Sequence, residues 1–141
     1  MIGHLQKLEV SSLTVTGDGG RRLLRVDSLA IAAGSAVVVR GPSGAGKSTF
    51  LYALAGMIAP ETGQIRWGET NIAPLPEPAR AAFRRRNVGF VFQEHLVFEE
   101  LSAPENAAIA ALYSRRADRG RIRDRAAAEL ARLGLEGVGT R

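Results

Sequence analysis

One run constrains this chain more than any other: Gly41-Pro42-Ser43-Gly44-Ala45-Gly46-Lys47-Ser48-Thr49-Phe50. It contains Gly41-x4-Gly46-Lys47-Ser48, the pattern of a phosphate-binding loop. A loop that wraps an anion must turn successive backbone N–H groups inward, through φ values that glycine reaches cheaply. A helix starting near Gly46 adds the positive end of its dipole. Lys47 would reach the β- and γ-phosphates, and the Ser48 hydroxyl would supply one of the oxygens that Mg²⁺ prefers.

The flanks fit the strand–loop–helix order that such a loop demands. Ala36–Arg40 is a short β-branched run of the kind buried on both faces of a sheet. After the loop, Leu51, Leu54, Ala55 and Ile58 recur at helical spacing, predicting a helix over 47–57 that Pro60 ends. Upstream, residues 5–33 read as short strands around the turn cluster Gly17-Asp18-Gly19-Gly20. Downstream, 61–72 reads as a hairpin or two short strands around Gly68. Residues 79–86 read as a helix and 88–92 as a second buried strand ending at Gln93. Ser102-Ala103-Pro104-Glu105 has the form of a capping box opening a helix to about Tyr113. Ile122, Ala126, Leu130 and Leu133 mark a further amphipathic helix ended by Gly134.

Composition excludes several classes of function. The chain has 141 residues, 45% of them hydrophobic, which suits one globular domain. With no cysteine, disulfides, thiolate chemistry and Cys-based metal sites are absent. The N-terminus carries no apolar h-region of a signal peptide. No apolar run approaches the roughly 18 residues needed to cross a bilayer. The net charge is +5, and of the 19 basic Lys and Arg residues only Lys7 and Lys47 are lysine. In a chain that otherwise writes arginine, position 47 holds a flexible point charge and not a planar fork. The arginine clusters at 84–86 and 115–125 have no interleaved aromatic residues, so a nucleic-acid partner is not expected.

Beyond the minimal pattern, Gly41–Thr49 closely resembles the Walker A motif of the ATP-binding cassette (ABC) ATPases. Residues 54–65 resemble the segment that follows Walker A in that family, and 84–106 resembles its Q-loop region with Gln93 in the glutamine position. The wording of 84–106 is similar to the cassettes of lipoprotein-release and macrolide-export systems. The resemblance implies an α/β fold: part of a P-loop NTPase-type core, an N-terminal antiparallel β-subdomain, and the start of an α-helical subdomain. On that reading 1–35 is the antiparallel region, 36–93 the core to the Q-loop, and 94–141 the start of the helical subdomain. It implies ATP and Mg²⁺ as cofactors. Backbone N–H groups of Ser43, Gly44, Ala45 and Gly46 would meet phosphates, with Lys47, Ser48 and Thr49 on the β/γ-phosphates, Mg²⁺ and the α-phosphate. Gln93 would touch Mg²⁺ or the attacking water. The implied partners are transmembrane subunits and a second nucleotide-binding subunit, at the cytoplasmic face of the inner membrane.

The resemblance has gaps. The family stacks adenine on an aromatic residue ahead of Walker A, whereas residues 13–20 hold none and Gly17 falls near that position. Residues 1–141 contain no LSGGQ-type signature, no Walker B strand ending in Asp and a catalytic Glu, and no switch histidine; the histidines are His4 and His95. The cradle is therefore expected to bind nucleotide without turning it over unaided. Two other readings stay open: a P-loop small-molecule kinase with 115–125 as an arginine lid, and a non-catalytic nucleotide-binding module.

Overall fold

Leu8, Val10, Leu13 and Val15 are out of step for one face of a regular strand, since side chains alternate with period two. All four are nevertheless buried in one core. A computed structural model, which describes residues 5–94 and 96–135, shows how. Strand β1, Leu8–Thr16, carries Ser12 at φ 50°. Its register against β3, Thr62–Trp67, shifts between Ser11 and Thr14. The irregularity returns Leu13 and Val15 to the face used by Leu8 and Val10.

The sheet is antiparallel, in the order β2-β1-β3-β4, with β2 at Arg22–Ile31 and β4 at Thr70–Asn71. Gly63 marks the closest approach of β3 to β1. At its φ of 97°, a Cβ would lie 2.5 Å from the Ser12 carbonyl oxygen and 2.6 Å from the Leu13 Cα. Helix α1, Lys47–Leu54, packs Phe50, Ala53 and Leu54 into the core with Ile65 and Ile72. These positions fall at i, i+3 and i+4, one face of a helix. At the helix's end, Trp67 Nε1–H donates to the Leu54 carbonyl at 3.0 Å.

Helix α2, Glu77–Asn87, starts after Pro76, with Pro78 in its first turn and Arg84, Arg85 and Arg86 in its last. That charge order suits the helix dipole. The Arg84 and Arg80 guanidinium groups donate to Glu77 at 2.7 and 2.8 Å and hold its carboxyl below the usual range. Arg84 also donates to the Gly56 carbonyl, tying α2 to the turn that ends α1.

The chain divides into two units, Met1–Phe90 and Val91–Arg141. The second contains α3, Ala103–Ala107, a 3₁₀ turn at Ile109–Ala111, and α4, Arg116–Arg132. Among the described residues no helix is long and apolar enough to cross a membrane. His4, His95 and residues 136–141 lie outside the described residues.

Three sequence expectations require correction. Residues 36–40 form no strand, and Val37, Val38 and Val39 are 55%, 74% and 37% exposed. Residues 88–92 form no strand either, and Val91 is 96% exposed. A strand of this kind exists only through neighbours on both edges and cover on both faces. Among the described residues the sheet contains no parallel pair. Thirdly, the helix expected to reach Tyr113 breaks at Ala108, whose φ of −98° and ψ of 13° leave the α region.

The Gly63 contact gives a test. Gly63→Ala puts a Cβ into main chain that cannot withdraw without moving β1. The substitution should destabilise the fold by on the order of 2–3 kcal/mol in denaturant unfolding. Gly68→Ala, whose nearest neighbours are atoms of the flexible Gln6 side chain, should cost less than half as much.

Candidate functional site

The loop before α1 is shaped at Gly46. This residue is the N-cap of α1, in the left-handed region at φ 85°. A Cβ there would lie 2.9 Å from the Leu23 carbonyl oxygen on β2. Only glycine meets both demands without displacing the strand. Gly44 is also left-handed, at φ 77°. The intervening turn is closed by Ala45 N–H donating to the Pro42 carbonyl at 3.3 Å.

The first helical hydrogen bond runs from Phe50 N–H to the Gly46 carbonyl at 2.8 Å. The N–H groups of Lys47, Ser48 and Thr49 precede it and have no carbonyl inside the helix. No side chain caps them. They form, with the dipole of α1, a set of donors suited to an anion. Lys47 Nζ donates to the Gly41 and Pro42 carbonyls at 2.9 and 2.7 Å. The ammonium thus folds back along the loop that precedes it and has a third donor to spare. The Ser48 side chain, exposed and not used as a cap, leaves its hydroxyl oxygen available to a hard cation.

Gly41, Ser43, Gly44, Ala45, Gly46, Lys47, Ser48 and Thr49 are thus brought together on one loop and one helix turn. Ser43, Gly44 and Ala45 are exposed, and Phe50 behind them is buried. A separate cavity of about 830 Å³ in the same unit is lined mainly by apolar residues, among them Val37, Val38, Leu54 and Trp67, with Arg86 and Asn87 also on its wall. Gly41–Thr49 do not line it, so its chemistry is not that of the cradle. The Tyr52 and Phe90 rings meet in a tilted contact, centroids 5.5 Å apart and planes at 37°. The turn at Asp18–Gly20 carries no aromatic group.

Gln93 lies in the second unit, exposed, in a bend. Beyond it, Phe98–Leu101 forms a turn in which Leu101 N–H donates to the Phe98 carbonyl at 3.1 Å. Ser102 then caps α3 through a capping box. Its hydroxyl and its N–H donate to Glu105 Oε2 at 2.6 and 2.9 Å. Sequence reasoning overlooked Asn106. Its Oδ1 accepts from Phe98 N–H at 2.8 Å, and its Nδ2 donates to the Phe98 and Leu101 carbonyls, both at 2.9 Å. The available signal was an asparagine inside a short helix, where asparagine is a poor helix former.

The ABC transporter family matches residues 24–141. The chain belongs to that family. It is 41% identical over 128 residues to the macrolide export ATP-binding/permease protein MacB of Sodalis glossinidius, covering 91% of this chain and 19% of that protein. It is 38% identical over 144 residues to the lipoprotein-releasing system ATP-binding protein LolD of Cereibacter sphaeroides, covering 96% of this chain and 61% of that protein. Among solved structures it is similar to the ATP-binding cassette MJ0796 in a dimeric post-hydrolysis state bound to ADP and Pi. The TM-score is 0.79 at 28% identity, covering 94% of this chain and 59% of that one. The fold is that of part of an α/β P-loop cassette with an antiparallel sheet and the beginning of a helical region. The chain spans less than two-thirds of the length of each of these relatives.

The capping box makes one pH-dependent prediction. The Ser102 hydroxyl first, and its N–H second, hold the Glu105 carboxyl below its ordinary value of 4.5. A folded value below the unfolded one stabilises α3 above pH 4.5, and that contribution is lost as pH falls through the folded value. Amide exchange at Ser102 should therefore accelerate in acid relative to neighbouring helix amides. Glu105→Gln should show the faster exchange already at neutral pH and no further step below it.

Proposed function

We propose that this chain binds Mg-ATP on Gly41–Thr49 and forms the nucleotide-binding part of an ABC transporter ATP-binding subunit of the lipoprotein-release or macrolide-export kind. The observation that carries the reading is the left-handed Gly46 against the Leu23 carbonyl, which starts α1 with the N–H groups of its first turn uncapped by any side chain. That arrangement suits phosphate oxygens. Lys47 takes the β- and γ-phosphates, Thr49 the α-phosphate, and the N–H groups of Ser43, Gly44, Ala45 and Gly46 the remaining oxygens. Ser48 offers a neutral oxygen ligand that fits Mg²⁺, which when bound neutralises charge on the phosphates; the Gln93 amide oxygen is of the same ligand type.

The names of the relatives support the same reading. One is an ATP-binding/permease protein and another the ATP-binding protein of a releasing system; the cassette structures are dimeric. The partners would be transmembrane subunits and a second nucleotide-binding subunit, at the cytoplasmic face of the inner membrane. The surface offered to the membrane subunit is the segment from Gln93 to Leu101. Hydrolysis in the whole protein needs a water oriented for attack and its proton accepted. Gln93 can orient a water but is a poor base, and residues 1–141 hold no signature or Walker B run. The 141-residue chain should bind nucleotide and release phosphate at no more than background rate.

Two measurements test this. In calorimetry, Lys47→Ala should weaken Mg-ATP binding at least about tenfold, roughly 1.4 kcal/mol. Lys47→Arg should also weaken it, because a planar fork does not replace a point charge. Equal affinity of Lys47→Ala and the parent chain would refute the cradle. Competition between ATP and GTP should show little preference, since residues 13–20 offer no ring to stack on the base. Lys47-dependent phosphate release at ordinary ATPase rates would favour the kinase-like reading and direct attention to Glu94.

A further inference from the structure

Helix α1 has the nucleotide loop at one end and a network of charged side chains at the other. It closes on Gly56 at φ 69°. Met57 N–H donates back to the Tyr52 carbonyl at 2.8 Å, and Gly56 N–H to the Ala53 carbonyl at 2.9 Å. This closure takes up carbonyls of the last turn and leaves that of Gly56 to a partner outside the helix. Arg84, on α2, donates to it. A cation at that end also suits the negative pole of the helix dipole.

Glu77 sets the direction of that bond. Its Oε1 accepts from Arg84 Nη2 at 2.7 Å, and its Oε2 accepts from Arg80 Nη2 at 2.8 Å. Arg80 in turn donates through Nη1 to the Leu75 carbonyl at 2.8 Å. One carboxylate thus orients two guanidinium groups, and each of them spends its other terminal nitrogen on a backbone carbonyl. One carbonyl belongs to the turn after α1 and the other to the turn before α2. Glu77, Arg80 and Arg84 stand at i, i+3 and i+7, on one face of α2. Arg80 and Arg84 are half-buried there, whereas Arg85 and Arg86 are exposed.

We propose that Glu77 and Arg84 are positioning residues of the nucleotide loop: Glu77 aims Arg84, and Arg84 fixes the end of α1 opposite Gly46. The proposal rests on the nucleotide-binding reading above and adds to it two residues outside Gly41–Thr49. The apolar face of α1 sets how deep the helix lies in the core, but apolar contact has no direction of its own. The bonds to the Leu54 and Gly56 carbonyls supply direction and set the axis. The helix has eight residues, about 12 Å at 1.5 Å per residue, so a tilt of about 10° at its far end moves the first turn by about 2 Å. Such a shift is most of the length of a hydrogen bond, about 2.9 Å. It misplaces every donor of the loop at once.

The experiment uses the whole 141-residue chain and reads Mg-ATP affinity by calorimetry, amide exchange at Phe50, and the denaturant midpoint. Gly63→Ala strains the sheet and lies outside both the loop and α2, so it gives the loss that follows from destabilisation alone. Arg84→Met keeps an unbranched stem but no donor. It should weaken Mg-ATP by at least about fivefold, and speed Phe50 exchange beyond that of the Gly63→Ala chain. Glu77→Ala should move both readings in the same direction, because Arg84 is no longer aimed. The swapped pair Glu77→Arg, Arg84→Glu re-forms an ion pair but offers Gly56 no N–H from position 84. It should recover the denaturant midpoint without recovering Mg-ATP affinity. Affinity lost only in step with stability, or recovered by the swap, overturns the positioning role and leaves the nucleotide reading standing. If the parent chain does not bind Mg-ATP, the nucleotide reading fails, and Phe50 exchange still decides positioning: unchanged exchange in Arg84→Met overturns it. Should Arg84→Met lose its helical circular dichroism, Glu77→Ala decides, because the Glu77 side chain is 54% exposed and its removal opens no core. Parental affinity and parental Phe50 exchange in that variant overturn the proposal.

Discussion

The nucleotide loop depends on the burial of one helix face. Gly41–Gly46 make few hydrogen bonds: the Ala45–Pro42 turn, the two carbonyl contacts of Lys47, and the Gly46 carbonyl that accepts from Phe50 N–H. What locates them is α1, because Phe50, Ala53 and Leu54 lie in the core with β1, β3 and Ile72. Burying side chains the size of Phe50 and Leu54 contributes about 1.5–3 kcal/mol each. The bond from Trp67 to the Leu54 carbonyl and that from Arg84 to the Gly56 carbonyl hold the far end of the same helix. With α1 fixed at both ends, the N–H groups of its first turn point in a set direction. Gly46 then decides whether the chain can enter that turn past the Leu23 carbonyl at all.

Much of this was legible in the residues because it is local. A left-handed glycine before a helix, a Ser-x-x-Glu cap and an i, i+3, i+4 apolar face each depend on a few neighbours in sequence. The capping box at Ser102 and the start of the helix at Lys47 appear where the sequence puts them, but α1 ends at Leu54, short of 57, and buries Phe50, Ala53 and Leu54 while Leu51, expected on the apolar face, is exposed. The valine runs at 36–40 and 88–92 failed for the opposite reason. Their β-branched composition states a capacity to lie inside a sheet, but a ladder belongs to pairs of strands. With no parallel neighbour among the described residues, the same valines line an apolar cavity or stand exposed. Asn106 escaped notice because its role is to bind the backbone of a turn eight residues earlier. Composition carries no trace of that beyond a poor helix former inside a helix.

The two units use backbone polar groups in opposite ways. At α1 the helix donors are left open, and a ligand must satisfy them. At α3 the groups that lead into the helix are tied within the chain, since the Ser102 N–H and hydroxyl donate to Glu105 and Asn106 takes up the Leu101 carbonyl. An open helix end beside a lysine suits a charged, exchangeable ligand. A lead-in tied by its own side chains holds the turn before α3 in one shape.

Lys47 limits how much affinity the open end can supply. Without phosphate its ammonium already donates to two carbonyls at 2.9 and 2.7 Å, so a phosphate gains only the difference between those bonds and its own. Net contributions of charged hydrogen bonds, about 1.5–3 kcal/mol, already reflect such exchanges. The N–H groups of Lys47, Ser48 and Thr49 have no carbonyl partner inside the helix, and an anion gains there only what it adds over solvent. The cradle therefore binds through the sum of several modest exchanges, each tied to a phosphate oxygen. Rigidity of α1 matters more to that sum than any one donor, because a shift of the helix start would misplace all of them together. The Phe50 face buried in the core and the glycine at 46 thus belong to the binding site as much as the lysine between them.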